Sequence, residues 1–327
     1  MQCYTKVEAE PSVAGRDLMN ISKQFKGSLY LIACSFVWGM AFVAQGSAME
    51  HVGPATFVCV RFAITFVVLS AAAPLIGRIS GPSQPETTPS LKRHIAVGAV
   101  LGLALGVASM LQQFGLVYTS PTNSGFVTAL YILIVPILGL FLGQKVRRII
   151  WFCVLLSLSG LYLLCVGDSL SVNAGDLITL GCALVFAVHI TLVDRLAGNL
   201  NTVVVSAIQF GFGALTACAV MLLFESPTLH GLRACLPSLL YAAIVSGAVG
   251  YTLQLFGQKY TTPALASLLM CLESVFAAVG EWMATRLGWF NGQALDGRRL
   301  LGCVLMLLAS VVAQLPEQRH ARPPESM

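Results

Sequence analysis

The sequence predicts an all-α integral membrane protein of ten transmembrane helices in two inverted five-helix repeats, and three observations lead there. Hydrophobic residues make up 57% of the 327 residues and charged ones only 10%, too little polar surface to cover a water-soluble globule. The apolar residues fall in continuous runs long enough to cross hydrocarbon, roughly 17 to 25 residues each, without the short alternating segments of a membrane barrel. A helix also satisfies its backbone within one segment, as lipid requires. Finally, one segment occurs twice. Leu111-Gln112-Gln113-Phe114-Gly115-Leu116-Val117-Tyr118-Thr119-Ser120-Pro121 matches Leu253-Gln254-Leu255-Phe256-Gly257-Gln258-Lys259-Tyr260-Thr261-Thr262-Pro263 at seven of eleven positions, at a constant offset of 142 residues. So long an interval means a duplicated half-molecule, not a solenoid.

The elements follow in order. A polar tail, 1–27, precedes the first span at 28–48, which lies too deep and runs too long to be a cleaved secretory signal. Spans at 54–77, 94–118, 121–142 and 149–167 complete a first repeat, 28–167. The second repeat, 174–316, holds spans at 174–195, 201–224, 236–258, 262–284 and 299–316, and a tail follows at 317–327. Both tails and the linker from Arg78 to Leu91, rich in Pro, Ser and Thr, are expected to be flexible. The duplication extends over both halves. Gly27, Leu29, Cys34 and Val37 align with Gly175, Leu177, Cys182 and Val185 at offset 148, as do Arg61 with Gln209 and Phe62 with Phe210. Cys153, Val154 and Leu155 align with Cys303, Val304 and Leu305 at offset 150, and the changes of offset fall in loops, where insertions are tolerated. Five spans per half is an odd number, so the second half enters the membrane reversed, the architecture of alternating-access carriers.

The loop charges give the orientation. With the N-terminus inside, the inner segments hold fourteen Lys and Arg and the outer ones four, which places both termini in the cytoplasm. The net charge of +5 is spread over short loops rather than gathered in a patch, so no nucleic-acid partner is expected. Of ten cysteines, only Cys3 and Cys235 lie outside apolar runs and none forms a Cys-x-x-Cys pair, so they read as small hydrophobes. No cluster has metal-ligand spacing, and no phosphate loop or nucleophile elbow is present, so neither a cofactor nor ATP-driven pumping is expected.

The candidate substrate-binding residues are the polar and aromatic groups inside the spans. Glu273 lies about eleven residues into the ninth span, roughly 16 Å into a core about 30 Å thick. Its repeat partner, Tyr131, sits at similar depth, as do Trp38 and its partner Phe186. Arg61 is the one cation within a span. Gln112 and Gln254, repeat partners near span ends, complete the set. A carboxylate at that depth must face the protein interior or a water-filled cavity, and Glu273 is therefore also the candidate proton carrier. Glu281 is expected as a solvated acid at the outer interface, and Asn123 as a helix cap. Gly98, Gly102 and Gly106 line one face of the third span for close helix packing, and Pro136 is expected to bend the fourth. His189 and Asp194 have the His-x4-Asp spacing of some membrane acyltransferases. Five helical residues turn them about 140° apart, whereas a base and its orienting carboxylate must point together.

Several of these residues together resemble one family. Trp38-Gly39, Arg61-Phe62, Tyr118-Thr119-Ser120-Pro121 with Val135-Pro136, and Tyr260-Thr261-Thr262-Pro263 with Leu272-Glu273-Ser274-Val275-Phe276-Ala277 resemble EamA-type members of the drug/metabolite transporter superfamily. The likeness covers roughly Lys26 to Pro316. It implies ten helices around a central cavity and export of amino acids or other small metabolites across the cell membrane. The chain departs from the family in having Ser274 where Pro is frequent, and Gly143-Gln144 and Arg286-Leu287 where Gly-Glu is common. The alternatives to a carrier are a membrane-embedded enzyme using His189 and Asp194, or a membrane scaffold with no cavity.

Overall fold

Continuous apolar sequence punctuated by Ser, Thr, Asn and Asp builds helices with side-chain caps. The computed structural model describes residues 13–79, 90–165, 173–289 and 294–315, and every regular element among them is helical. The helices are α1 (Val13–Ala48), α2 (Pro54–Ile79), α3 (Leu91–Leu116), α4 (Pro121–Ala129), α5 (Tyr131–Phe141), α6 (Arg148–Cys165), α7 (Ala174–Leu196), α8 (Thr202–Phe224), the short α9 (Leu229–Ala234) and α10 (Leu236–Leu240), a π-helical stretch Tyr241–Gly250, α11 (Tyr251–Gln258), α12 (Pro263–Met270), α13 (Glu273–Arg286) and α14 (Gly297–Ala313). The expected flexible segments at 1–12, 80–89 and 316–327 lie outside the described residues. The helix α1, however, starts at Val13, well inside the stretch expected to be an unstructured tail.

Among the described residues, eight helical segments are long and apolar enough to cross a membrane. The remaining two of the ten expected positions hold α6, described over 18 residues, and α14, with 17. At 1.5 Å per residue α14 reaches roughly 26 Å against about 30 Å of hydrocarbon; α6 and α14 are a matched pair. They occupy the same place in the two repeats, and they pack against each other. At their crossing, a Cβ on Gly160 would lie 2.7 Å from the Gly302 carbonyl oxygen, so the backbones touch.

The fourth and ninth spans are each broken in two, at the same step. Ser120 and Thr262 cap α4 and α12 with their hydroxyls, each followed by a proline at the first helical position, where its missing N–H costs nothing. Each helix then tightens after nine residues or fewer, at Leu130 (φ −60°, ψ −12°) and at Leu272 (φ −59°, ψ −13°), 142 positions apart. This interruption lies six residues before Pro136, where a bend was expected, and belongs to both halves; Pro136 itself lies within α5. Asn123 is not the cap; its backbone N–H is what Ser120 caps, at 3.1 Å.

Packing is reciprocal between the halves. Helix α1 lies against α11, α12 and α13, and α7 lies against their counterparts α3, α4 and α5; α2 and α8, again counterparts, pack face to face. The glycines show the reciprocity atom by atom. A Cβ on Gly27 would sit 2.9 Å from the Gly257 oxygen, and one on Gly175 would sit 2.6 Å from the Gly115 oxygen, the same pair in the other copy. Gly98, Gly102 and Gly106 face α8 as expected, with Gly106 only 3.1 Å (as a built Cβ) from the Gly213 Cα. The broken spans run antiparallel: α4 packs on α13, and α5 on α12.

Candidate functional site

The two breaks deliver their first residues to one point. Tyr131 opens α5 and Glu273 opens α13, and the Tyr131 hydroxyl donates to Glu273 Oε1 at 3.0 Å. These are repeat partners, so the bond joins a position to its own copy. A second such contact lies nearby, where the Phe62 and Phe210 rings meet edge to face at 4.9 Å.

Around Glu273 is a hollow of about 30 Å³, room for a water or two. Trp38, Arg61, Gln112, Tyr131, Gln254 and Glu273, the six residues expected from sequence, all line it, and so does Phe186. The wall also includes Gln45, Thr128, Ser246 and Tyr251, which sequence reasoning did not single out. A signal for two of them was present. Gln45 follows Trp38 by seven residues and Thr128 precedes Tyr131 by three, spacings that share a helix face.

Each side chain has a visible anchor. Trp38 Nε1 donates to the Ser246 carbonyl at 3.2 Å, and its ring rests 4.6 Å from that of Tyr251. The π-helical turn makes this possible, since it turns carbonyls at Ala243 and Ser246 towards Thr65, which donates to Ala243 at 2.7 Å, and towards Trp38. Gln112 Nε2 donates to Thr128 Oγ1 at 3.2 Å. Arg61 is only 5% exposed and donates to Gln45 Oε1 at 2.6 Å, with the Phe57 and Phe62 rings 5.5 and 5.1 Å from its guanidinium carbon. Ring faces compensate part of the cost of burying that cation. Among the described residues no bond joins Arg61 to Glu273, although both face the hollow. Arg61 Nε and Gln254 Oε1 are buried with no partner, a costly state for polar groups.

A far larger cavity of about 760 Å³ opens at the end of the bundle that carries the 142–147 and 259–262 loops. Lys23, Lys145, Arg147 and Lys259 line it, with Asp194 opposite. Burial pulls the Lys259 ammonium below the usual lysine range, and it donates to the Leu200 carbonyl at 3.0 Å. Gln258 lines the vestibule, four residues along α11 from Gln254 in the wall of the hollow, and its amide donates to the Ile190 carbonyl at 3.0 Å.

One expectation is corrected here, and the expected separation of His189 from Asp194 holds. Glu281 is not a solvated interfacial acid; it is 3% exposed and accepts a hydrogen bond from the Thr122 hydroxyl across the α4/α13 contact. Counting from the span end gave its depth but not its neighbour. His189 and Asp194 lie on the unbroken helix α7 and have different partners: His189 Nε2 pairs with Gln209 at 3.2 Å, and Asp194 accepts from Gln144 at 3.2 Å. No dyad forms. The eight cysteines whose state is described, including Cys235, are free.

Comparison with known proteins gives the same two halves. The model of the EamA-like transporter family matches residues 25–166 and again 173–314. An uncharacterised transporter of Archaeoglobus fulgidus is 26% identical over 296 residues, covering 90% of this chain and 87% of that one. A crystal structure of a protein 21% identical superposes with a TM-score of 0.68 over 88% of this chain and 96% of the other, a likeness of fold. With several membrane-crossing helices and both repeats matched end to end, the chain belongs to the EamA-like transporter family and is a multi-pass membrane protein.

Proposed function

We propose that this protein is a secondary transporter that exports amino acids or related small metabolites, with ten spans in two inverted repeats rocking about the hollow at Tyr131 and Glu273. The supporting observation is the contact between those repeat partners, made by antiparallel broken helices. A position that touches its own copy lies on the axis relating the halves, and in carriers of this kind the substrate site lies at that interface, near the midplane.

The side chains suit a zwitterion. Arg61 and Glu273 face one space without neutralising each other, so a substrate carboxylate can meet the first and an ammonium the second. The unpartnered Arg61 Nε and Gln254 Oε1 would gain their missing partners from the same molecule. Space for about two waters holds no such substrate, so binding requires the halves to move apart. By the distribution of loop charges the vestibule faces the cytoplasm, as both termini do, and the crossing of α4 with α13 lies at the outer end. Glu273 is the proposed proton carrier, exchanging a proton for substrate as the halves rock. A dry Arg61–Glu273 ion pair with no cavity would have favoured the scaffold alternative; among the described residues no bond joins the two, and both line a hollow.

The test is flux in proteoliposomes under an imposed pH gradient, with candidate amino acids first screened by thermal stabilisation, since a ligand of the folded state raises apparent stability. Gradient-driven uptake by the wild type and its absence in Glu273→Gln is the expected result. Equal uptake by both would remove Glu273 as the proton carrier.

A further inference from the structure

The two ends of the crossed helices differ. Where α4 meets α13, the buried Thr122 hydroxyl donates to the buried Glu281 carboxyl, each residue 3% exposed. The repeat counterparts of this pair, at offset 142, are Ala264 and Gly139, on α12 and α5 at the opposite end. Neither can form a side-chain hydrogen bond. That is the end at which the 760 Å³ vestibule opens, with Ala264 in its wall.

A second comparison points the same way. At the outer end Thr119 donates to Asp176 at 2.8 Å, joining the α3–α4 turn to the start of α7. Its counterparts at the vestibule end, Thr261 and Ser28, each turn back on a carbonyl of their own helix, Gly257 and Gln24, at 3.0 Å. At these matching positions polar links join the halves only at the outer end; the vestibule end has links of its own, from Gln144 to Asp194 and from Arg195 to the Leu142 carbonyl, at the rim of the cavity rather than between the broken helices.

We propose that Glu281 is a positioning residue for transport: with Thr122 it latches α4 to α13 and holds the outer end shut, so that the resting protein stands open towards the vestibule. The proposal rests on alternating access. A carboxyl–hydroxyl bond in a dry, low-dielectric setting is stronger than its counterpart in water. A contact present in only one of two conformers shifts their ratio by its differential worth. Glu281 is not among the residues that line the hollow, so its effect in this role is on the conformational ratio rather than on substrate contact.

The experiment uses the full chain in nanodiscs, with spin labels on Tyr118→Cys and Trp289→Cys, two exposed sites (61% and 79%) at the outer end, and on Lys145→Cys with Lys259→Cys at the vestibule end. Wild-type protein carrying only its native cysteines supplies the background. Glu281→Ala and Thr122→Val should each raise the ratio of long to short 118–289 distances roughly tenfold, with the opposite change at 145–259. Glu281→Gln, which keeps an acceptor oxygen for Thr122, should stay within about twofold of the wild type and shows that the site tolerates substitution. Two populations in the wild type with a ratio that both variants leave unchanged would overturn the latch and leave alternating access standing. One fixed distance at each end in every protein, with no substrate counterflow, would overturn both.

Discussion

The fourth and ninth spans are copies that bend at the same step, yet the residue just past the bend is a phenol in one and a carboxyl in the other. Tyr131 and Glu273 have matching depth, matching backbone and mutual contact. Their difference shows that duplication fixed the frame, while the chemistry rests on substitutions within a single copy. The same holds at Arg61, which reaches into the hollow, whereas its counterpart Gln209 is engaged by His189.

The largest expected effect comes from exchanging the pair. Glu273→Tyr alone should abolish pH-driven flux, and adding Tyr131→Glu should restore part of it, because the carboxyl returns to the same spot from the other copy. No recovery in the double variant would mean that the two positions are not interchangeable. Next, Arg61→Gln gives the first copy the residue of the second. If Arg61 holds a substrate carboxylate, the apparent KM should rise at least about tenfold, the range for losing a hydrogen bond to a charge, with a smaller change in the maximal rate. A smaller effect is expected at the reciprocal glycine contacts. Gly27→Ala and Gly175→Ala should each destabilise by about 1–3 kcal/mol through overpacking, and by equal amounts, measured as thermal unfolding in detergent. Unequal losses would show that the copies are packed differently at their ends. Least of all, Pro136→Ala should leave transport unchanged and shift stability by no more than about 1 kcal/mol, because the bend lies at Leu130 and the counterpart is already Ala278.

Much of this could be read from the sequence. The offset of 142 residues showed Tyr131 and Glu273 to be partners at similar depth, though not that they touch, and the six candidate binding residues all line one hollow. The bend could not be read in the same way. Pro136 announces a lost backbone bond, whereas the tightening at Leu130 and at Cys271-Leu272 uses ordinary apolar residues. The π-helical stretch likewise carries no residue signature; the partners of its carbonyls, Thr65 and Trp38, lie far away in sequence. Glu281 was misplaced because distance from a span's end measures depth along the helix and says nothing about which side of it meets another helix. The reach of α1 back to Val13 was missed because polar, mixed-charge residues carry no apolar period even when they are helical.

One consequence of the central bond concerns how such a site could arise. Had two identical half-length chains come together about the same axis, the residue at that spot would have faced an unchanged twin: acid against acid, which cannot both hold a negative charge at such close range, or phenol against phenol, with no carboxyl to take up a proton. Joining the halves into one polypeptide let the twins drift apart. Two different side chains at that spot, a phenol facing a carboxyl, are available to a fused gene and barred to a symmetric homodimer.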